Sequence, residues 1–179
     1  ESMTNILAVI DTKDSVHQAL ERCKQLPSDA NLDILAVAFV ESDKAESFKA
    51  AYAEKREWLN ELVTPYIADG YKITTEVVPF QKLYEAVIDT ATKFGADFVV
   101  KPMRRHSLFQ SMVRTSTDWN LIRHCNFPML LVSELDNTAG KPLLAAVDVC
   151  SGEENHEKLN DVVLEQAERL ASVLNMPIE

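Results

Sequence analysis

The residues best suited to chemistry are basic side chains gathered in one segment. Lys101, Arg104, Arg105, His106, Arg114, Arg123 and His124 fall in a stretch whose only acid is Asp118, in a chain whose net charge is −10. A guanidinium grips phosphate or carboxylate bidentately. Thr115, Ser116, Thr117 and Asp118 offer capping side chains at the head of a helix continued by Trp119, Leu121, Ile122 and Cys125. The positive end of such a helix favours an anion. Arg104, Arg105 and Ser116 are therefore the candidate anion-binding residues. The competing reading is ordinary loop charge, solvated or paired with acids such as Asp29, Asp33 or Glu41.

Other chemistry lacks its residues. The chain has no GxxxxGK[ST], GxGxxG, HExxH or GxSxG, and no catalytic residue is assigned. Cys23, Cys125 and Cys150 are odd in number and show no CxxC spacing, which reads as reduced core thiols. Four scattered histidines form no metal-ligand pattern, so no metal is expected. The acidic balance argues against nucleic acid and acidic membrane surfaces as partners, since both need a positive field. No apolar run approaches the roughly 20 residues that cross a bilayer. No signal peptide is visible, so a cytoplasmic location is the expectation. Trp58 and Trp119 read as packing residues. Glu46, Glu54, Glu57, Glu165 and Glu168 read as solvent-facing.

The basic segment lies inside GADFVVKPMRRHSLFQSMVRTSTDWNLIRHCNFPMLLV, residues 95–132. Ala96–Val100 reads as a buried strand after a glycine turn, and Phe127–Val132 as a second one opened by Pro128. In an open α/β sheet ligands bind outside the carboxyl ends of such strands, so the long loop between them is where a small molecule would sit. Upstream, Asn5–Ile10 reads as a strand ending at Asp11, Thr12–Leu26 as a helix, and Leu32–Val40 as a second strand. Lys44–Ala68 reads as a long helix that Pro65 should kink or end. Tyr71–Val78 reads as a third strand, and Pro79 as the opening of a helix with Leu83, Ala86, Val87, Thr90, Ala91 and Phe94 inward. Strands alternating with helices imply right-handed parallel crossovers. The expected fold class is α/β: an open, doubly wound, parallel five-stranded, Rossmann-like sheet with strand order 3-2-1-4-5.

Residues 3–133 make this first domain, and 134–142 read as a polar linker. LLAAVD at 143–148 then matches ILAVID at 6–11 in type at every position, and a helical stretch follows both. Residues 143–179 therefore read as the first strand and helix of a truncated second copy, which must dock on the first copy or on another chain to bury its faces.

With these residues in view the chain resembles the universal stress protein family. ADFVV, the long loop, the helix start at Ser116 and LIRHCNFPMLLV look like that family's fourth strand, loop, fourth helix and fifth strand. TDWNLIRHC and the repeat from Leu143 resemble its tandem, two-domain members. The nucleotide-binding members carry G-x2-G-x9-G-[S/T] here. Laid on that pattern without a gap, the glycine positions fall on Pro102, Arg105 and Thr115, and only Ser116 keeps its type. A Cβ blocks close backbone approach and proline removes a donor. The resemblance thus implies a degenerate loop, with no cofactor in this half and ATP or AMP as the alternative ligand. It also places Asp11 where the family's acidic residue meets the nucleotide, and Val40 where adenine is contacted. The residues themselves also allow Asp11 to be a helix cap and Val40 to be strand core. The family further implies pairing between fifth strands, here Phe127–Val132, either in a homodimer or with the tandem second domain. The leading expectation is a non-enzymatic stress-response domain acting by association. A nucleotide or other phosphate-ligand binder is the alternative, and a weak ATPase is implied by family analogy alone.

Overall fold

The computed structural model describes residues 3–13, 17–25, 31–42, 45–102, 120–121, 124, 127–132, 161–165 and 167–168. The elements are β1 (Thr4–Ile10), α1 (Gln18–Lys24), β2 (Leu32–Glu41), α2 (Ala45–Ala68), β3 (Ile73–Phe80), α3 (Leu83–Phe94), β4 (Phe98–Pro102) and β5 (Met129–Val132). All strand pairs are parallel, and the sheet runs β3-β2-β1-β4-β5, the expected order.

The central strands are apolar on both faces because both are covered. Ile6, Ala8, Ile34, Ala36, Phe98 and Val100 pack with Leu20 and Cys23 of α1 and Leu59 and Val63 of α2. Leu7, Val9, Val37 and Val99 face the other way, onto Val87 and Ala91 of α3 and onto Leu121. A continuous apolar run is what a strand covered on both faces requires.

Several boundaries differ from those the sequence predicts. Thr12 and Lys13 form a turn rather than the start of a helix, and α1 begins at Gln18. The helix α2 runs to Ala68, as read from the sequence, with Pro65 inside it rather than ending it. In the last turn a proline removes only one donor, and the Pro65 carbonyl accepts from Asp69 N at 3.1 Å. Pro79 does not open a helix. It lies in β3, opposite Val40, and α3 starts at Leu83. β3 is an edge strand, where proline is tolerated, and Glu76 and Pro79 on it are exposed. β4 is shifted two residues along from Ala96–Val100, so Lys101 and Pro102 belong to the strand. β5 is shorter than Phe127–Val132 and begins at Met129.

The start of β4 is set by a glycine. Gly95 ends α3 with φ +70°, and Ala96 N reaches back to Ala91 O at 3.0 Å, a helix stop that needs the left-handed conformation. β1 and β4 are then tied at their amino ends. Asn5 N donates to Asp97 Oδ2 at 2.7 Å, Asn5 Nδ2 to Gly95 O at 3.1 Å, and Asp97 N to Asn5 O at 2.8 Å. On the other face Tyr66 of α2 donates to Glu21 of α1, and Tyr71 OH donates to Lys24 O at 2.8 Å. The sheet and its helices are thus fixed below the end where a ligand would enter.

Candidate functional site at the topological switch

The chain lays β2 and then β3 to one side of β1, and β4 and β5 to the other. This order puts the topological switch point between β1 and β4, and in such sheets the ligand crevice lies outside the carboxyl ends of those strands. Adjacent strands lie about 4.8 Å apart, so side chains at those two ends are close neighbours in space.

Asp11 stands at the end of β1, half-buried. Its Oδ1 accepts a hydrogen bond from Lys13 N at 3.0 Å, closing a turn of the kind short polar side chains form. This contact is local and does not cap α1, which begins four residues beyond Lys13's neighbour Asp14 at Gln18. Val40 is the penultimate residue of β2, half-buried against the core under α1 and α2. Asp11 and Val40 thus lie at the carboxyl ends of adjacent strands. Arg104, Arg105 and Ser116 lie outside the described residues, as do His106, Arg114 and Arg123.

Lys101 was legible as one basic residue among several, but not as a buried one. It is 8% exposed. Its position two residues after Val99 puts it on the α3 side of the sheet. The side chain bends along the strand, and Nζ donates to the Pro102 carbonyl at 3.3 Å. Continuing the register from Ala8↔Val100 sets Pro102 across from Ile10, so Lys101 lies near the carboxyl end of β4. Lysine is rarely so buried without a compensating contact, and the Pro102 carbonyl supplies one. No periodicity signal marks it, because a lysine at the end of an apolar run reads as the place where the strand meets solvent.

Of the acids offered as partners for the arginines, Asp29 lies outside the described residues, as the arginines do. Asp33 lies near the amino end of β2 and meets Lys72 Nζ at 3.3 Å. Glu41, at the carboxyl end of β2, is exposed. His124 is exposed and stacks on Tyr84 of α3, with ring centroids 5.9 Å apart and planes 30° apart.

Elsewhere, a shallow groove of about 550 Å³ runs along α2, lined by Tyr52, Ala53, Arg56, Glu57, Asn60, Glu61 and Thr64. Arg56 closes on its own helix, with Nη1 donating to Tyr52 OH at 3.0 Å, and the groove is remote from the crevice. Trp58 packs edge-on to His17, with centroids 5.5 Å apart. Cys23 is buried and free of any disulfide. Burial pushes its thiol up to about 12, which makes it a core residue rather than a nucleophile. Among the described residues no group of three His, Cys, Asp or Glu could hold a metal ion, and no helix is long and apolar enough to cross a membrane.

Comparison with known proteins supplies the family. Over 183 residues the chain is 27% identical to universal stress protein E of Escherichia coli K12, and the match covers 96% of this chain and 58% of that protein. It is 25% identical to the universal stress protein E homolog of Haemophilus influenzae, covering 96% and 60%. The chain therefore spans about 58% of the length of its Escherichia coli relative. Among solved structures it resembles a protein from Pseudomonas aeruginosa UCBPP-PA14 assigned to the same family, with a TM-score of 0.73 and 21% identity, over 99% of this chain and 60% of that one. It also resembles a universal stress protein in complex with cAMP, with a TM-score of 0.54 and 17% identity, over 74% of this chain and 98% of that one. The sheet order and the doubly wound connections are those of these structures. The model of the universal stress protein family matches residues 3–133, and the chain belongs to that family.

Proposed function

We propose that this chain is a non-enzymatic stress-response domain that acts by association, through the strand Met129–Val132 and the residues that lead into it from Phe127. The observation that carries the reading is the character of this strand. Among the described residues β5 ends the sheet, pairs with β4 on one side, and presents Met129, Leu130 and Leu131 half-exposed. A bare apolar edge is a template for another strand. Its partner is either a second copy of the chain or the tandem second domain whose start is read at residues 143–179. Sedimentation of the wild-type chain at micromolar concentration tests the reading, with Leu131→Lys as the perturbed form. A wild-type dimer that the substitution shifts toward monomer supports it. A wild-type monomer refutes association between copies of this chain.

A second reading is favoured by the crevice. Asp11 and Lys101 flank the switch point, and a neighbour of the same fold is described in complex with cAMP. In this reading an adenine nucleotide lies against Asp11 and Val40, with Ser116 and the pair Arg104 and Arg105 supplying phosphate contacts. Side chains take over the work of the missing glycines, since Pro102 has no backbone donor to offer. A rise in melting temperature on adding ATP or AMP, reduced by alanine at Arg104 and Arg105, supports it. An unchanged melting temperature with both nucleotides refutes it. No hydrolytic step is assigned to either reading.

A further inference from the structure

We infer that Met3 is an oxidation site whose sulfoxide the fold holds in place through the ammonium of Lys72. The site is independent of both readings above. It lies at the amino ends of the strands, the opposite end of the sheet from the switch point.

Three side chains cross this end, one from each of three neighbouring strands. Lys72 immediately precedes β3, Asp33 is the second residue of β2, and Met3 immediately precedes β1. Lys72 Nζ lies 3.3 Å from Asp33 Oδ2 and donates to Met3 Sδ at 3.9 Å. An ammonium has three donors, so both contacts are held at once. Met3 is 44% exposed, so an oxidant in water reaches its sulfur. Met129 in β5 is half-buried and packs on the core layer of Val87 and Ala91.

Oxidation changes the contact in one direction. A lone pair of Met3 Sδ attacks hydrogen peroxide, the O–O bond breaks, and the departing hydroxide takes up a proton and leaves as water. The hydroxyl now bonded to sulfur gives up its proton. One thioether and one peroxide become one sulfoxide and one water, with the sulfur oxidised by two electrons and the peroxide reduced by two. A thioether is a weak acceptor, whereas a sulfoxide is polar. A hydrogen bond from an ionised donor is stronger than a neutral one. Rotation about the bonds of this exposed side chain turns the new oxygen onto Nζ. In a core, a sulfoxide adds a polar group without a partner and disrupts packing. At Met3 it adds an acceptor beside a waiting donor. The modified residue therefore ties the head of β1 to that of β3 more firmly than methionine does.

The test treats the wild-type chain, Met3→Leu and Lys72→Leu with hydrogen peroxide, maps sulfoxide by peptide mass spectrometry, and takes urea midpoints before and after. At partial conversion Met3 should carry at least about fivefold more sulfoxide than Met129. Met3→Leu supplies the shift due to the other methionines. Measured against it, oxidation should raise the wild-type midpoint by a few tenths of a molar in urea. In Lys72→Leu oxidation should lower the midpoint or leave it unchanged on the same scale. Met3 sulfoxide no more abundant than Met129 sulfoxide would overturn the inference. So would a wild-type shift of zero or below, or a shift of the same size with and without Lys72. If Lys72→Leu does not fold, the wild-type shift against Met3→Leu still decides, because a fall there refutes retention of the product.

Discussion

Replacing Cys23 with alanine should make stability less sensitive to alkaline pH, and the size of the effect follows from the thiol's environment. Cys23 is 3% exposed, on the buried face of α1, and burial raises its pKa from 9.0 to about 12. The folded state thus holds a proton that the unfolded chain gives up first. In the linkage relation the unfolded state binds fewer protons over this window, so stability falls as pH rises above about 9. At about pH 10 roughly nine-tenths of the unfolded thiol is ionised while the folded thiol is not, a loss on the order of 1 kcal/mol relative to neutral pH. The loss would approach about 4 kcal/mol only near pH 12. Tyr66 and Tyr71 shift in the same direction, chiefly through burial, with the Glu21 carboxylate also acting on Tyr66 and Asp69 on Tyr71, so the wild-type slope alone does not isolate the thiol. The difference between wild type and Cys23→Ala does. Alanine leaves a small cavity whose cost does not depend on pH. The gap between the two urea-unfolding free energies should therefore narrow by on the order of 1 kcal/mol between about pH 7 and pH 10. A gap that stays constant would refute the argument, and so would native-state labelling by a thiol reagent as fast as labelling in urea.

Gly95→Ala should cost about 1 kcal/mol, or a fall in melting temperature of about 2–4 °C for a chain of this size. The nearest atom to an added Cβ, Asn5 Nδ2, is 4.0 Å away, so the penalty is conformational rather than steric. Gly95→Asn should cost less because asparagine tolerates the left-handed region, and equal losses for the two would argue against this account. Leu20→Ala should lose about 2–5 kcal/mol in urea unfolding, since Leu20 is fully buried between α1 and the sheet. A loss under about 1 kcal/mol would mean that this face of the core closes readily over the gap.

The sheet was legible in the sequence because its strands are continuous apolar runs between turn residues. Ile6–Ile10 and Ile34–Phe39 have no other stable place than between two layers. Helix boundaries were less legible because they depend on single contacts. Asp11 takes up Lys13 N and delays α1, and Pro79 is tolerated in β3 only because that strand has no neighbour on its far side. An edge position is a fact of tertiary arrangement, which no local pattern around Pro79 announces. The switch point was legible from the strand order, while the basic loop lies outside the described residues. The burial of Lys101 was not, since it depends on the strand running two residues past the apolar run. The placement of Arg104, Arg105 and Ser116, and the repeat read at residues 143–148, lie outside the described residues.

The two rims of the sheet are unlike, and this bears on assembly. Along β3, Pro79 offers no donor and Glu76 puts a charge where an incoming chain would lie, whereas β5 has neither obstacle. A body that can be joined along one rim only pairs face to face and then has nothing left to offer. If β5 pairs as proposed, growth would halt at a closed couple instead of running on into a ribbon. Exchanging Pro79 for a residue with a free amide would remove that stop, and the hazard it opens is filament formation rather than unfolding.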